Sequence, residues 1–198
     1  MKVIYFDTET TGLYDSEICQ LTYIVDNGVE VYGRNYFFRV RAMNPVAESI
    51  HGFSMEALEI LSEGRVFGDF IDEIEQEFSD STLLVAHNAS FDIGMMRREF
   101  ERLGRVFRYT SSLCTMRFMT PYMKLPKSIG NGYKYPRLSE FVSCFVPDSS
   151  LIDACVNDIF GVMSRYHDAR YDTVSLFLAI NAARADITSL KEKVCSSD

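Results

Sequence analysis

Three short stretches hold the side chains with chemical potential. They are Asp7-Thr8-Glu9-Thr10-Thr11-Gly12-Leu13, His87-Asn88-Ala89-Ser90-Phe91-Asp92 and His167-Asp168-Ala169-Arg170-Tyr171-Asp172. Asp7 and Glu9 stand two residues apart, so an extended chain projects both from one face. Two like charges beside an apolar run repel each other and lose hydration. A hard cation such as Mg²⁺ is the simplest compensation. A strand that stops at Phe6, leaving both acids in a solvated turn, is the competing reading, and this stretch alone does not decide. Asp92 could equally be an acid complementing a helix dipole, but that leaves the His87-Asn88 pair unexplained. His167 and Asp172 would lie roughly 140° apart on a helix. They act together only if His167 precedes the helix, with Asp168 as its cap. Taken alone, His167 reads more simply as an exposed loop histidine. Taken together, Asp7, Glu9, Asp92 and Asp172 form an all-carboxylate set suited to Mg²⁺ or Mn²⁺ rather than Zn²⁺. Two such ions about 3.5–4 Å apart stabilise the attacking and leaving oxygens of phosphoryl transfer. A histidine not used as a ligand is then free to move a proton.

The elements that must position these groups alternate along the chain. Val3 to Phe6 is a run of β-branched and aromatic residues, as in a buried strand. Residues 17–26 read as a second strand, closed by Asn27-Gly28, and Val29 to Val40 as a third, which together make an antiparallel meander. Ile50-His51-Gly52-Phe53 reads as an apolar turn. Ser54 caps a short helix through Ile60, and Val66 to Phe78 is amphipathic. Thr82 to Ala86 is a buried strand, followed by a helix from about Phe91 to Leu103 that Gly104 stops. A short strand at 111–114 precedes a helix from Thr115 that should break before Pro121. Residues 121–136 read as loop, Arg137 to Phe145 and Ser150 to Tyr166 as helices, and Asp168 caps a last helix through Ala183. The frayed tail begins at Lys191. The fold class is α/β: a mixed five-stranded sheet, its first three strands antiparallel, flanked by helices in one domain. The domain is placed at 1–185 and the C-terminal tail at 186–198.

The three stretches resemble, in order, the exonuclease motifs of the DnaQ-like DEDDh 3′→5′ exonucleases. His167-x-Ala169-x-x-Asp172 matches the histidine branch of that family rather than the tyrosine branch. The resemblance covers residues 3 to about 180. It implies a ribonuclease H-like fold and two-metal hydrolysis of a 3′-terminal phosphodiester, with release of nucleoside 5′-monophosphates. By motif position, Asp7, Glu9, Asp92 and Asp172 would bind two Mg²⁺ or Mn²⁺ ions, and His167 would be the general base. Thr8, Thr10, Thr11, Gly12 and Leu13 would cradle the terminal nucleotide, with Leu13 wedged against the base. Ile50 and His51 match the family's substrate-side turn, and His87, Asn88 and Phe91 would line the pocket. Core roles for Leu13 and Phe91 compete with these. The implied partner is a single-stranded DNA or RNA 3′ end. A homodimer, a polymerase or another replication or repair partner stays open. Two alternatives stand beside the freestanding enzyme: a proofreading subunit, and a catalytically silent nucleic-acid-binding module on the same fold.

Composition bounds these readings. The chain has 198 residues, 47% of them hydrophobic, with 15 Phe and 11 Tyr, enough to fill one core. No apolar run reaches membrane-spanning length, so no membrane association is expected, and the start of the chain is too short for a secretory signal. Five scattered cysteines without a C-x-x-C pair read as reduced thiols in a cytoplasmic protein. The net charge is −8, yet Arg97 to Arg137 carries ten Lys or Arg against two acids. A local basic surface of that kind attracts phosphates even on an acidic protein. Its last part, Lys124 to Arg137, interleaves lysines with tyrosines and fits no general family motif. It could contact a single strand, dock a protein, or be a plain insertion.

Overall fold

The computed structural model describes residues 1–13 and 15–195, with side chains through Arg184. Its centre is a five-stranded mixed sheet of β1 (Val3–Thr10), β2 (Ile18–Asp26), β3 (Val31–Phe37), β4 (Leu83–Ala86) and β5 (Ser112–Cys114), in the order β3-β2-β1-β4-β5. The first three strands pair antiparallel, as their short connections require, while β4 and β5 run parallel to β1. Eight helices flank the sheet among the described residues: α1 (Pro45–His51), α2 (Met55–Leu61), α3 (Ile71–Ser79), α4 (Ala89–Arg102), α5 (Thr115–Met123), α6 (Leu138–Phe145), α7 (Ser149–Phe160) and α8 (Ala169–Cys195).

The pleat of β1 sorts its side chains. Ile4 and Phe6 enter a core with Ile74 and Phe78 of α3 and Met96 and Phe100 of α4. Val3 and Tyr5 enter the opposite core with Phe141, Val156, Val174 and Ala179 of α6, α7 and α8. Asp7 and Glu9 continue the second series and Thr8 the first. The acids therefore face α8, and Thr8 faces α4.

Several boundaries differ from the sequence reading, each for a local reason. β1 does not stop at Phe6, because β2 pairs with it as far as Thr10. The edge strand β3 is shorter than Val29–Val40: Asn27 accepts the Val29 and Glu30 amides in the preceding turn. Ile50 and His51 close a helix rather than lying in a turn. That helix is capped by Asn44 with Pro45 in its first turn and ends at Gly52, φ +82°. A 3-10 turn, Phe67–Phe70, precedes α3. α5 runs past Pro121 to Met123, where Lys124 adopts the left-handed conformation and its N–H reaches the Thr120 carbonyl. α7 ends at Phe160, not Tyr166, because Gly161 takes φ +68° and donates to the Asn157 carbonyl. The following segment brings the chain to His167 outside any helix. α8 continues beyond Ala183, through Cys195. Of the expected frayed tail from Lys191, the last three residues lie outside the described set. No described helix is long and apolar enough to cross a membrane. Cys19, Cys114, Cys144 and Cys155 are free thiols.

Candidate active site

β1 pairs with β4 only over Val3 to Tyr5, while its pairing with β2 continues to Thr10. The sheet therefore splits beyond Tyr5, and the split leaves room for side chains from three elements. β1 supplies Asp7 and Glu9. The first turn of α4 supplies Asp92, and the first turn of α8 supplies Asp172. Asn88 makes the sharp entry into α4 in the left-handed conformation, φ +72°, which asparagine tolerates better than most residues.

The acids differ in how they are held. Asp92 is 3% exposed, and its Oδ1 accepts the Thr8 hydroxyl at 2.8 Å. Asp172 is 8% exposed; its Oδ2 accepts the His167 backbone N–H at 3.2 Å, and its Oδ1 is buried with no hydrogen-bond partner. Asp7 and Glu9 are partly exposed on the strand between them. Ligand atoms of Glu9, His167 and Asp172 lie within 4.8 Å of one another.

Electrostatics shows the cost of this crowding. Burial pushes the Asp7 carboxyl well above its ordinary range, and Asp92, Asp172 and Glu9 add to the rise. Glu9 is pushed to about 8 by burial and then by Asp172, Asp168 and Asp92. Asp92 rises to about 7 through burial, against the opposing Thr8 hydrogen bond. Asp172 also rises to about 7 through burial, against the His167 N–H. Four acids raised together, one with an orphaned buried oxygen, form a site lacking positive charge. The hard all-oxygen donor set fits Mg²⁺ or Mn²⁺, with the His167 imidazole beside it.

His167 is exposed, at φ +64°, on the segment just before α8. Asp168 caps that helix, its Oδ1 accepting the Arg170 N–H at 3.0 Å. Burial alone would raise the Asp168 carboxyl. Hydrogen bonds from Arg170 and Gln20 outweigh it and hold the group below its ordinary value. Gln20, fully buried on β2 opposite Glu9, secures this junction. Its Nε2 donates to Asp168 Oδ1 at 2.9 Å and to Asn35 Oδ1 at 2.8 Å, and its Oε1 accepts the Ala169 N–H at 3.0 Å.

A cleft of ≈ 550 Å³ opens beside the acids. Thr8, Glu9, Thr10, Thr11, Gly12, Leu13, Ile50, His51 and Phe91 all line it. Leu13 and Ile50 are 69% and 53% exposed, apolar surface offered to the opening rather than to the core. His51 also lines a second hollow with His167, so it forms the wall between cleft and base. Its Nδ1 accepts the Phe53 N–H, its Nε2 is buried without a partner, and burial lowers its pKa.

His87 and Asn88 lie off this wall. His87 is a strut: its Nε2 lies 3.0 Å from the Pro136 carbonyl and its Nδ1 3.0 Å from the Thr115 hydroxyl. A carbonyl can only accept, so Nε2 carries the proton. Sequence reasoning passed over Asn44, Val46 and Ala47, which complete the cleft from α1. Asn44-Pro45 is a readable helix start, a cap followed by proline.

Comparison with known proteins agrees with this geometry. The family model described as Exonuclease (RNase_T) matches residues 4–177. The chain belongs to this exonuclease family. With its three ordered motifs and its sheet, it falls among the DnaQ-like 3′→5′ exonucleases of the ribonuclease H-like superfamily. DNA polymerase III subunit epsilon of Salmonella typhimurium is 34% identical over 123 residues, 57% of this chain and 49% of the relative. A DNA polymerase III subunit epsilon-like protein of Rhodobacter capsulatus is 32% identical over 118 residues, 54% of this chain and 16% of that protein. The chain thus spans about half the length of the epsilon subunit it matches. Escherichia coli Exonuclease I in complex with a dT13 oligonucleotide shares the fold, with TM-score 0.67 over 92% of this chain and 40% of that one, at 17% identity.

Proposed function

We propose that this chain is a metal-dependent 3′→5′ exonuclease. It hydrolyses the 3′-terminal phosphodiester of single-stranded DNA or RNA and releases nucleoside 5′-monophosphates. The observation that carries this reading is the meeting of Glu9, His167 and Asp172 beside Asp7 and Asp92 at the mouth of an apolar-lipped cleft. In this proposal Asp7, Glu9, Asp92 and Asp172 hold two Mg²⁺ or Mn²⁺ ions. When bound, such a pair acidifies the attacking water and stabilises the leaving 3′ oxygen. The chain's own residues do the rest. The Thr8 hydroxyl fixes the Asp92 carboxylate. The His167 imidazole, exposed at the edge of the cluster, accepts the water's proton. Leu13, Ile50 and Phe91 hold the terminal base, while Thr10, Thr11 and Gly12 face its sugar and phosphate. A terminal nucleotide must leave any duplex stack to enter such a cleft, which favours single-stranded ends.

The similarity to epsilon subunits favours one second reading, a proofreading subunit that works beside a polymerase. We assign residues 1–185 to the exonuclease domain and 186–198 to a tail, and we place the protein in the cytoplasm on its scattered thiols.

The test is release of nucleotide from end-labelled single-stranded DNA, double-stranded DNA and short RNA, in Mg²⁺ and in Mn²⁺. Asp7→Ala should abolish release while circular dichroism shows an unchanged fold. Undiminished hydrolysis by that variant refutes the mechanism. A parent chain that binds single strands without cutting them would instead be a silent binding module.

A further inference from the structure

Lys124 to Arg137 holds four Lys or Arg and no acid, in a chain of net charge −8. It is not an irregular loop. Pro126 pairs antiparallel with Tyr133, the Lys134 N–H donates to the Leu125 carbonyl at 2.9 Å, and the Lys127 N–H to the Gly132 carbonyl at 3.3 Å. The result is a small hairpin, tipped by Ile129, which is 90% exposed.

Its side chains divide by direction. Lys134 is turned toward the protein and pairs with Glu140, which also accepts the Arg137 backbone N–H at 2.8 Å. Tyr133 and Tyr135, one position to either side, are 47% and 56% exposed. Neither makes a ring contact or a side-chain hydrogen bond among the described residues. Two residues of extended chain set them roughly 7 Å apart on one face. Lys124 and Lys127 are exposed and have no ion pair among the described residues, while Arg137 is exposed near Glu140. Two lysines without an ion pair, set among aromatic faces without partners, match a sugar-phosphate chain carrying stackable bases.

The hairpin is also anchored in the right place. Its exit at Pro136 is held by His87, the residue before Asn88, where the chain turns into the helix bearing Asp92. The platform therefore springs from the sheet edge that carries the acids.

We propose that this hairpin is a second binding site for single-stranded nucleic acid, gripping the strand upstream of the 3′ end. The inference rests on the exonuclease reading for which end of the strand lies in the cleft. It adds a prediction about length: long substrates gain affinity that a dinucleotide cannot.

The test compares the parent with Lys124→Ser/Lys127→Ser and with Tyr133→Ser/Tyr135→Ser, in the full chain. Hydrolysis of (dT)16 and of the dinucleotide dTpT is measured in Mg²⁺. Binding of labelled (dT)16 is measured by anisotropy in chelator, where nothing is cut. The KM for (dT)16 should rise at least tenfold in each variant while turnover of dTpT stays unchanged. The lysine variant should also lower the log–log salt slope of binding by about 0.7 for each phosphate that is no longer neutralised. Unchanged (dT)16 kinetics, or an equal loss on dTpT, overturns the inference. Unchanged kinetics would leave the hairpin to a protein partner. If the parent cuts neither substrate, the exonuclease reading fails by itself, and equal (dT)16 affinity of parent and variants still overturns the hairpin site. Should a double variant not fold, Lys127→Ser and Tyr135→Ser alone carry the same comparison.

Discussion

Asp92→Asn isolates what the carboxylate crowd costs when no cation is present. Asp92 is almost fully buried, and its pKa stands at about 7 against an ordinary 3.8, with burial the main cause. A group raised in the folded state favours folding while it is protonated. Its contribution is complete below about pH 4 and is lost as pH rises through 7. At 1.36 kcal/mol per pH unit, the loss at pH 8 is on the order of 4 kcal/mol. Asparagine keeps the shape, and its Oδ1 can still accept the Thr8 hydroxyl, but it carries no charge. It also removes the repulsion that Asp92 exerts on Asp7. In chelator at pH 8 the variant should therefore melt above the parent. About 2–4 °C per kcal/mol is usual for a domain of this size, so the gap should approach about 8–16 °C. At pH 5 it should shrink to less than half of that, since the unfolded acid is then little more than one pH unit past its midpoint. Adding Mg²⁺ should raise the parent's Tm more than the variant's, and the variant should lose nuclease activity. Thermal melts by circular dichroism at the two pH values decide it. A variant that melts below the parent at pH 8, or a gap of equal size at both pH values, refutes the reasoning.

Two further substitutions test the scaffold. Gln20→Leu leaves the Ala169 N–H unmet, worth about 1–3 kcal/mol in a buried place, and takes one partner from Asp168, which keeps its Arg170 hydrogen bonds. Because that junction sets His167, kcat should fall at least tenfold with KM nearly constant, and steady-state kinetics showing an unchanged kcat would remove Gln20 from any positioning role. Gly33→Ala drives a Cβ into Ile159 Cγ2 and to 2.6 Å from a Phe160 ring carbon, so these side chains of α7 must shift. Overpacking of this kind costs about 1–3 kcal/mol, and a melt should show Tm lower by at least about 2 °C.

The sheet and the acids were legible because both rest on short-range rules. Two-residue alternation placed Asp7 and Glu9 on one face, and an apolar run marked β4. The requirement that His167 precede its helix was readable from geometry alone. The stopping point of α7 was not: Ser150 to Tyr166 keeps an apolar pattern, and only Gly161 in a left-handed conformation marks the end. Pro121 misled in the opposite direction, since the helix around it tolerates the missing N–H. His87 shows a different limit. Its neighbours in sequence are site residues, but the positions that fix its role, Thr115 and Pro136, are distant in the chain and became partners only through the fold.

The first strand and the last helix meet at the acids. In chain order Asp7 and Glu9 come first of the five groups, and His167 and Asp172 last. A polypeptide ending before α8 carries four of the five groups but lacks Asp172 and the helix that packs against β1. On the proposed mechanism such a polypeptide should not cut, because the acid cluster is complete only once α8 docks on β1.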